Sequence, residues 1–462
     1  MSDTPAAGIA GQMGDVRADF RALVRNHNFM KLFWGQLVSG MGDWAATLAL
    51  MSVVYKITNH NALAVGGMLA FRIVPALFSG SVAALVSDRV DRRKLMIGCD
   101  LSRALIILAA PFMTRLWAVF VLIFFLEGIT IVWLAARDAS IPNLVDDEQL
   151  TMANSLSMAT TYGVIPFAAV MFALVTVPSP ITRHLVKGGF LASHPTTIAF
   201  IVDSLSFLIS AAFFFRMKLS SPKDHHEVEQ SWKFGESLTF AWRHPFARSL
   251  LLGAAVGCIG GGSLYAVGIG YVKEVLGAKS DAAFGLLMAL FGVGMIIGVV
   301  ALQVLGKNEE KPWMLRMALV TAGGIMVGMS FVHVALFAFL LAGFFGAAFG
   351  ILFILVITMV QERVEDKDRG KAFAAFHAIS RIFLVLGAGL AGGVAYAFGK
   401  HQLHIFGFNY IVYGYSVAFF VAGILIASVS LVPFGGEKKD RVRDYFVRRK
   451  VEPLTEPEST DT

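Results

Sequence analysis

The sequence predicts an all-α membrane protein with twelve transmembrane helices in two six-helix halves. Three observations carry this. Apolar residues make up 56% of 462 and charged residues only 15%, with a mean hydropathy of +0.68, a composition that soluble chains do not show. The apolar residues fall into runs of about 20, the length a helix needs to cross a hydrocarbon core of about 30 Å. The basic residues collect in alternate connections between these runs. With 45 Gly and 14 Pro in no triplet period and only two cysteines, collagen, disulfide-scaffold and disordered classes are excluded.

In chain order the expected spans are 31–56, 62–87, 95–113, 116–136, 150–177 and 196–217, then 249–275, 282–305, 314–332, 335–361, 371–398 and 410–434. These divide the chain into a segment 1–30, a first half 31–217, a linker 218–248, a second half 249–434 and a tail 435–462. No cleavable leader is expected, because residues 1–28 are polar and contain Arg17, Arg21 and Arg25. Within the linker, Trp232, Phe234, Leu238, Phe240 and Trp242 among polar residues suit a helix lying at the membrane interface. The outer connection 178–195 is long, and the last dozen residues are expected to be disordered.

An even number of spans puts both termini on one side. One set of loops carries 29 Lys and Arg and the other 7, with Arg72, Arg103 and Arg381 inside spans. The basic side is cytoplasmic by the positive-inside rule, so both termini are expected there, in a multi-pass protein of the cell membrane. The net charge of +7 is explained by those loops and gives no reason to invoke nucleic acid. Cys99 and Cys258 lie in or at the edge of apolar runs and read as small apolar fillers. The segment from Val145 to Ala153 resembles that from Val364 to Ala372 at an offset of 219 residues. Each is a charged loop entering an odd-numbered span, as in a duplicated six-helix unit with its site between the halves.

The sharpest motif is the loop after the second span, Ala84-Leu-Val-Ser-Asp88-Arg89-Val-Asp91-Arg92-Arg93-Lys94. It resembles the G-x-L-A-D-R-x-G-R-R loop of the major facilitator superfamily, with Ala84 and Asp91 in place of the two glycines. Gly42-Asp43-Trp44, the stretch from Ala136 to Val145 with Glu148 to Ser155 after it, and Arg369-Gly370-Lys371 resemble the drug-exporter and siderophore-exporter branch. That branch's helix-5 antiporter pattern is degenerate here, since Gly163-Val-Ile165-Pro166-Phe-Ala-Ala169 keeps only the proline. The resemblance implies the major facilitator fold, alternating access, and a loop in which Asp88, Arg89, Asp91, Arg92 and Arg93 lock one state. Asp100 and Arg103, at the inner end of the third span, are expected to join that network.

Charges at membrane depth are functional candidates by default. Asp43, Arg72 and Glu127 lie 13, 10 and 11 residues from the outer ends of their spans, about 15–20 Å in at 1.5 Å per residue, so they can meet at one level. Arg72 can neutralise one carboxylate while the other exchanges protons with a cavity. A static salt bridge joining three helices is the rival reading. Asp43 is the first choice for the proton carrier, because helix 1 lines the central cavity in the family the chain resembles. His377 and Arg381, four apart, share a helix face, and with Asp203 they are the expected substrate-facing groups. His377 also suits a satisfied histidine near the inner rim, and Asp203 a polar anchor or gate.

Gly387-Ala-Gly389-Leu-Ala-Gly392 fits G-x-G-x-x-G, but it lies inside an apolar helix with no strand before it, which excludes a dinucleotide site. No catalytic triad, zinc spacing or nucleotide loop is present, so neither an enzyme nor a cofactor is expected. The expected function is proton-coupled efflux of small hydrophobic or amphiphilic compounds by a monomer, with the small molecule, protons and the lipid bilayer as partners. A narrow-substrate exporter of a siderophore, a lysolipid transporter and a non-transporting receptor or scaffold are the rivals.

Overall fold

The computed structural model describes residues 20–75, 91–146, 149, 152–153, 156–157, 160, 163–177, 196–219, 239, 242–243, 245–305, 311–364, 366–405 and 408–431. The helix α1 (His27–Ile57) starts at Asn26, whose side chain accepts hydrogen bonds from the N–H groups of Asn28 and Phe29, two donors that the first turn leaves without partners. A four-residue turn follows, with Asn59 and His60 at φ 53° and 68°, left-handed values that Asn and His adopt more readily than other residues with side chains. Asn61 then caps α2 (Ala62–Phe71) in the same way. This helix tightens at its end, where the N–H groups of Arg72 and Ile73 reach back three residues to Leu69 and Ala70 at 3.3 and 3.2 Å.

Asp91 caps α3 (Arg92–Ile107) by accepting from the Lys94 N–H. The first half continues with α4 (Leu116–Ser140), α5 (Ile165–Thr176, with Pro166 in its first turn) and α6 (Thr197–Phe215). In the second half, α7 (Pro245–Gly270) runs into one π turn, Tyr271–Val275. Then come α8 (Ala282–Leu305), α9 (Lys311–Phe331), α10 (Ala335–Arg363), α11 (Asp366–Phe398) and α12 (Gly414–Val429). Nine helices among the described residues are long and apolar enough to cross a membrane, and α2, α5 and α12 are shorter apolar helices.

The packing repeats when six is added to each helix number. The pair α3 and α6 recurs as α9 and α12, α3 and α4 as α9 and α10, α1 and α6 as α7 and α12, and α1 and α5 as α7 and α11. The two most extensive contacts between the sets are α2 with α11 and α5 with α8, and this relation exchanges them. Small residues allow both approaches: a Cβ on Gly66 would stand 2.5 Å from the Ala388 carbonyl oxygen, and one on Gly285 would stand 2.8 Å from the Ala173 backbone nitrogen.

At the end of the bundle where α1 turns into α2, side chains tie the two sets together. The Tyr55 and Tyr415 hydroxyls lie 3.0 Å apart, and Tyr415 also donates to the His60 carbonyl. His60 stacks on Tyr55 and sits 3.0 Å from a Glu274 carboxylate oxygen. Ser280 donates to the Thr176 carbonyl, and within the second set Lys273 pairs with Asp281 at 2.5 Å. These contacts join the two sets at this end.

Several elements differ from expectation: α1 begins at His27 and α11 at Asp366, before the expected 31 and 371, and α5 begins at Ile165, well inside the expected 150–177. The span expected over 410–434 begins instead as the second strand of an antiparallel hairpin, β1 (Lys400–Ile405) and β2 (Phe408–Tyr413), with Lys400 opposite Tyr413 and Ile405 opposite Phe408. The chain becomes helical only at Gly414. The span expected over 249–275 starts earlier, at Pro245, and ends in the π turn. The segment 1–19, the outer connection 178–195, linker residues 220–238 and the tail beyond 431 lie outside the described residues.

Candidate functional site

Arg72 caps α2 and extends between α4 and α1. Its Nε donates to a Glu127 carboxylate oxygen, its Nη1 donates to Thr47 Oγ1 at 2.6 Å, and its Nη2 stands 3.9 Å from Asp43 Oδ2. The Thr47 hydroxyl donates in turn to the Asp43 carbonyl at 2.8 Å. Asp43 and Thr47 are four apart and so share one face of α1. A guanidinium taken out of water is costly unless paired and hydrogen-bonded, and Glu127 with Thr47 meets that need. Asp43 is left with acceptor capacity and 39% of its side-chain surface accessible. The three charges expected to meet are thus at one site, on the wall of a pocket that Ala46, Leu50, Met68, Ile107 and Ile123 also line.

Arg103 borders the same pocket. It bonds to Asp100 one turn earlier on α3, reaches Thr130 at 3.4 Å, and lies over the rings of Phe207 and Trp133 at 4.3 and 5.1 Å. These are interior contacts among α3, α4 and α6. Arg103 stands 11 residues, about 16 Å, up the helix from Arg92, and the part of the expected network around Asp88 lies outside the described residues. Asp88 and Arg89 lie outside the described residues.

Asp203, expected to face the substrate, is 1% exposed. It accepts from Ser206 at 3.2 Å and lies against Gly42 of α1, where an added Cβ would come within 2.6 Å of its Oδ1. The side chain therefore faces α1 beside Asp43, not the pocket.

The remaining loop residues cap helices at the far end of the first half. Arg92 donates to the Ala139 carbonyl at 2.5 Å, and Arg93 donates to the carbonyls of Phe214 and Phe215. Carbonyls at a helix C-terminus have no partner in the helix and carry the negative end of its dipole, so cations suit them. Lys31, which the sequence did not single out, serves the Arg216 carbonyl at 2.8 Å. Asp91 starts α3, and the pair Arg92-Arg93 then ties α3 to α4 and α6.

In the second half, His377 lies on α11, with its side chain outside the described residues. Arg381 is exposed on the same helix. Its depth follows from the α2–α11 contact, where Ala62 meets Gly392 and Gly66 meets Ala388. Continuing this antiparallel register seven residues, about 10 Å, brings Arg381 near the level of residue 73. Arg381 also interacts electrostatically with Glu127. Trp44 and Tyr265 pack across the two sets with ring centroids 6.0 Å apart, and Tyr265 also interacts electrostatically with Arg72. Thr47, Trp44 and Tyr265 join the site without having been marked individually as candidates; only the i, i+4 spacing from Asp43 pointed to Thr47. Among the described residues, no group of three His, Cys, Asp or Glu side chains could hold a metal ion.

The comparisons agree with this architecture. The family model described as Major Facilitator Superfamily matches residues 32–364 and 261–456. The chain is 25% identical over 453 residues to YfiS of Bacillus subtilis (strain 168), an uncharacterized MFS-type transporter, covering 93% of this chain and 98% of that one. It is 26% identical over 376 residues to the putative bacilysin exporter BacE of Bacillus amyloliquefaciens, covering 78% and 87%. The crystal structure of the nucleoside transporter NupG superposes with a TM-score of 0.65 at 13% identity, covering 87% of this chain and 97% of that one. A duplicated six-helix bundle, charges gathered at mid-depth and a family match over most of the length have one explanation: the chain belongs to the Major Facilitator Superfamily of membrane transporters.

Proposed function

We propose that the protein is a proton-coupled exporter of small hydrophobic or amphiphilic compounds, working by alternating access between halves 31–217 and 249–434. The observation that carries this reading is the unequal sharing of Arg72. Glu127 holds the guanidinium directly, while Asp43, 3.9 Å away and facing the pocket, can exchange a proton without breaking that bond. The 29-to-7 distribution of basic loop residues supports cytoplasmic termini in a cell-membrane protein. The tied Tyr55 end then faces outward, and the opposite end, toward the cytoplasm, is the side from which an exporter loads. The exporter name of the BacE relative supports that direction.

In the cycle, substrate enters the cleft as Asp43 gives its proton to the cytoplasm. The halves then rock, and a proton from outside returns to Asp43 as substrate leaves. Arg72 and Glu127 stay paired throughout, so the guanidinium is never buried without its partner. An exposed Arg381 favours, as a second reading, a narrow substrate carrying an anionic group, such as a siderophore or a lysolipid. A receptor or scaffold has no use for an exchangeable carboxylate in a cleft.

The test is ethidium accumulation in cells producing wild type or Asp43→Asn at matched levels, with and without a protonophore. Lower accumulation in wild type alone, erased by the protonophore, is the expected result. Equal export by Asp43→Asn at every external pH would overturn the role of Asp43.

A further inference from the structure

Two exposed side chains of opposite charge lie near one depth, Asp43 on the first-half pocket and Arg381 on α11 of the second half. Asp43 retains acceptor capacity because Glu127 and Thr47 already engage Arg72. Arg381 is exposed and has no hydrogen bond or ion pair among the described residues. Continuing the register of α2 against α11 puts it near the level of Arg72, and its positive charge acts on Glu127 from the other half. Arg72 and Glu127 cancel each other. What remains is one negative group on α1 and one positive group on α11.

Alternating access closes the cleft over its contents, and a charge closed away from water needs a partner. An organic cation would neutralise Asp43 and strand Arg381, an organic anion would do the reverse, and an uncharged compound lying between them would pair with neither. A molecule carrying an ammonium and a carboxylate satisfies both at once. Its apolar body would lie against Trp44 and Tyr265, the aromatic pair that bridges α1 and α7 beside Asp43.

We propose that the transported compound is a small amphiphilic zwitterion, its ammonium held by Asp43 and its carboxylate by Arg381. This rests on the transport reading above and narrows its substrate class. The ammonium takes the place of the exchanged proton, so only the deprotonated carboxylate of Asp43 binds it.

The test uses the purified full chain in detergent and follows Trp fluorescence and melting temperature with four compounds. These are the dipeptide phenylalanyl-alanine, its C-terminal amide, its N-acetyl derivative, and ethidium as a reference amphiphile. Wild type should bind the free dipeptide about tenfold or more tightly than either capped form, since a capped end leaves a protein charge unpaired. Asp43→Asn should lose discrimination against the N-acetyl form and keep it against the amide, and Arg381→Gln should do the opposite. The wild-type comparison requires no variant to fold. Equal binding of capped and free forms, or variants that weaken all three compounds alike, would overturn the zwitterion. Binding of ethidium without the free dipeptide overturns it too, while leaving amphiphile efflux standing. Binding of neither removes both readings.

Discussion

The hydroxyl of Tyr55 meets that of Tyr415 at 3.0 Å across 360 residues of chain, joining the end of α1 to the start of α12. Tyr415 also donates to the His60 carbonyl, so one side chain serves two contacts between halves. Tyr415→Phe should remove both bonds at about 1 kcal/mol each and raise the population open at this end by about five- to thirtyfold. A cysteine at Leu50, on the pocket wall, should then react faster with a membrane-impermeant maleimide in intact cells. Native Cys99 and Cys258, 7% and 2% exposed, contribute little background. An unchanged labelling rate would mean that the tyrosines do not hold the closure.

Glu127 and Asp43 differ in what their loss leaves behind. Glu127→Gln removes the direct partner of Arg72, and breaking a buried pair from one side costs about 3 kcal/mol or more. Asp43→Asn removes only the more distant carboxylate and should cost less than about 1 kcal/mol. Detergent melting curves should therefore place Glu127→Gln well below Asp43→Asn. The reverse order would make Asp43 the principal partner of Arg72.

Two glycines on α11-facing helices separate motion from folding. Gly66 meets the Ala388 carbonyl across the halves, whereas Gly262 meets the Leu384 carbonyl within the second half. Gly66→Val should leave a folded protein whose halves cannot close at the Tyr55 end, abolishing transport at a stability cost of about 1–3 kcal/mol. Gly262→Val should fail to accumulate as folded protein, because a Cβ there collides with backbone inside one rigid half. Size-exclusion profiles and transport, measured together, check both; a well-folded, inactive Gly262→Val would refute the distinction.

Arg93 holds the carbonyl end of α6. Arg93→Gln should lose about 1–3 kcal/mol of local stability there. Hydrogen–deuterium exchange should quicken at the amides that end α6 and leave mid-α3 unchanged. Uniform quickening would indicate a global effect instead.

Depth in the bilayer was legible in the sequence and direction around each helix was not. Asp43, Arg72 and Glu127 could be brought to one level by counting residues from span ends, because the hydrocarbon thickness is a common ruler for every helix. Asp203 could not be placed by counting. Its carboxylate turns to α1 because Gly42 leaves room there, and a helix that is apolar on all sides gives no periodic signal of which face looks inward. Arg103 likewise has its Cα near the inner end of α3 while its long side chain runs between the Phe207 and Trp133 rings, a direction that counting residues does not give. The hairpin of β1 and β2 escaped because Tyr410 to Tyr413 is apolar and continuous with α12. Hydropathy averages across that boundary, and only the two residues between Ile405 and Phe408 signalled a tight return.

The π turn at Tyr271–Val275 makes the tied end sensitive to chain length. Its Tyr271 hydroxyl fastens onto the carbonyls of Met329 and Val332 at the end of α9, while Glu274 and Lys273 point toward His60 and Asp281. Such a turn holds one residue more than an α turn. Deleting a single residue within it would restore regular helix and swing one group of anchors by about 100° relative to the other. Tyr271 and Glu274 could not then both reach their partners. A change in length by one residue would undo at a stroke what several substitutions would loosen only in part.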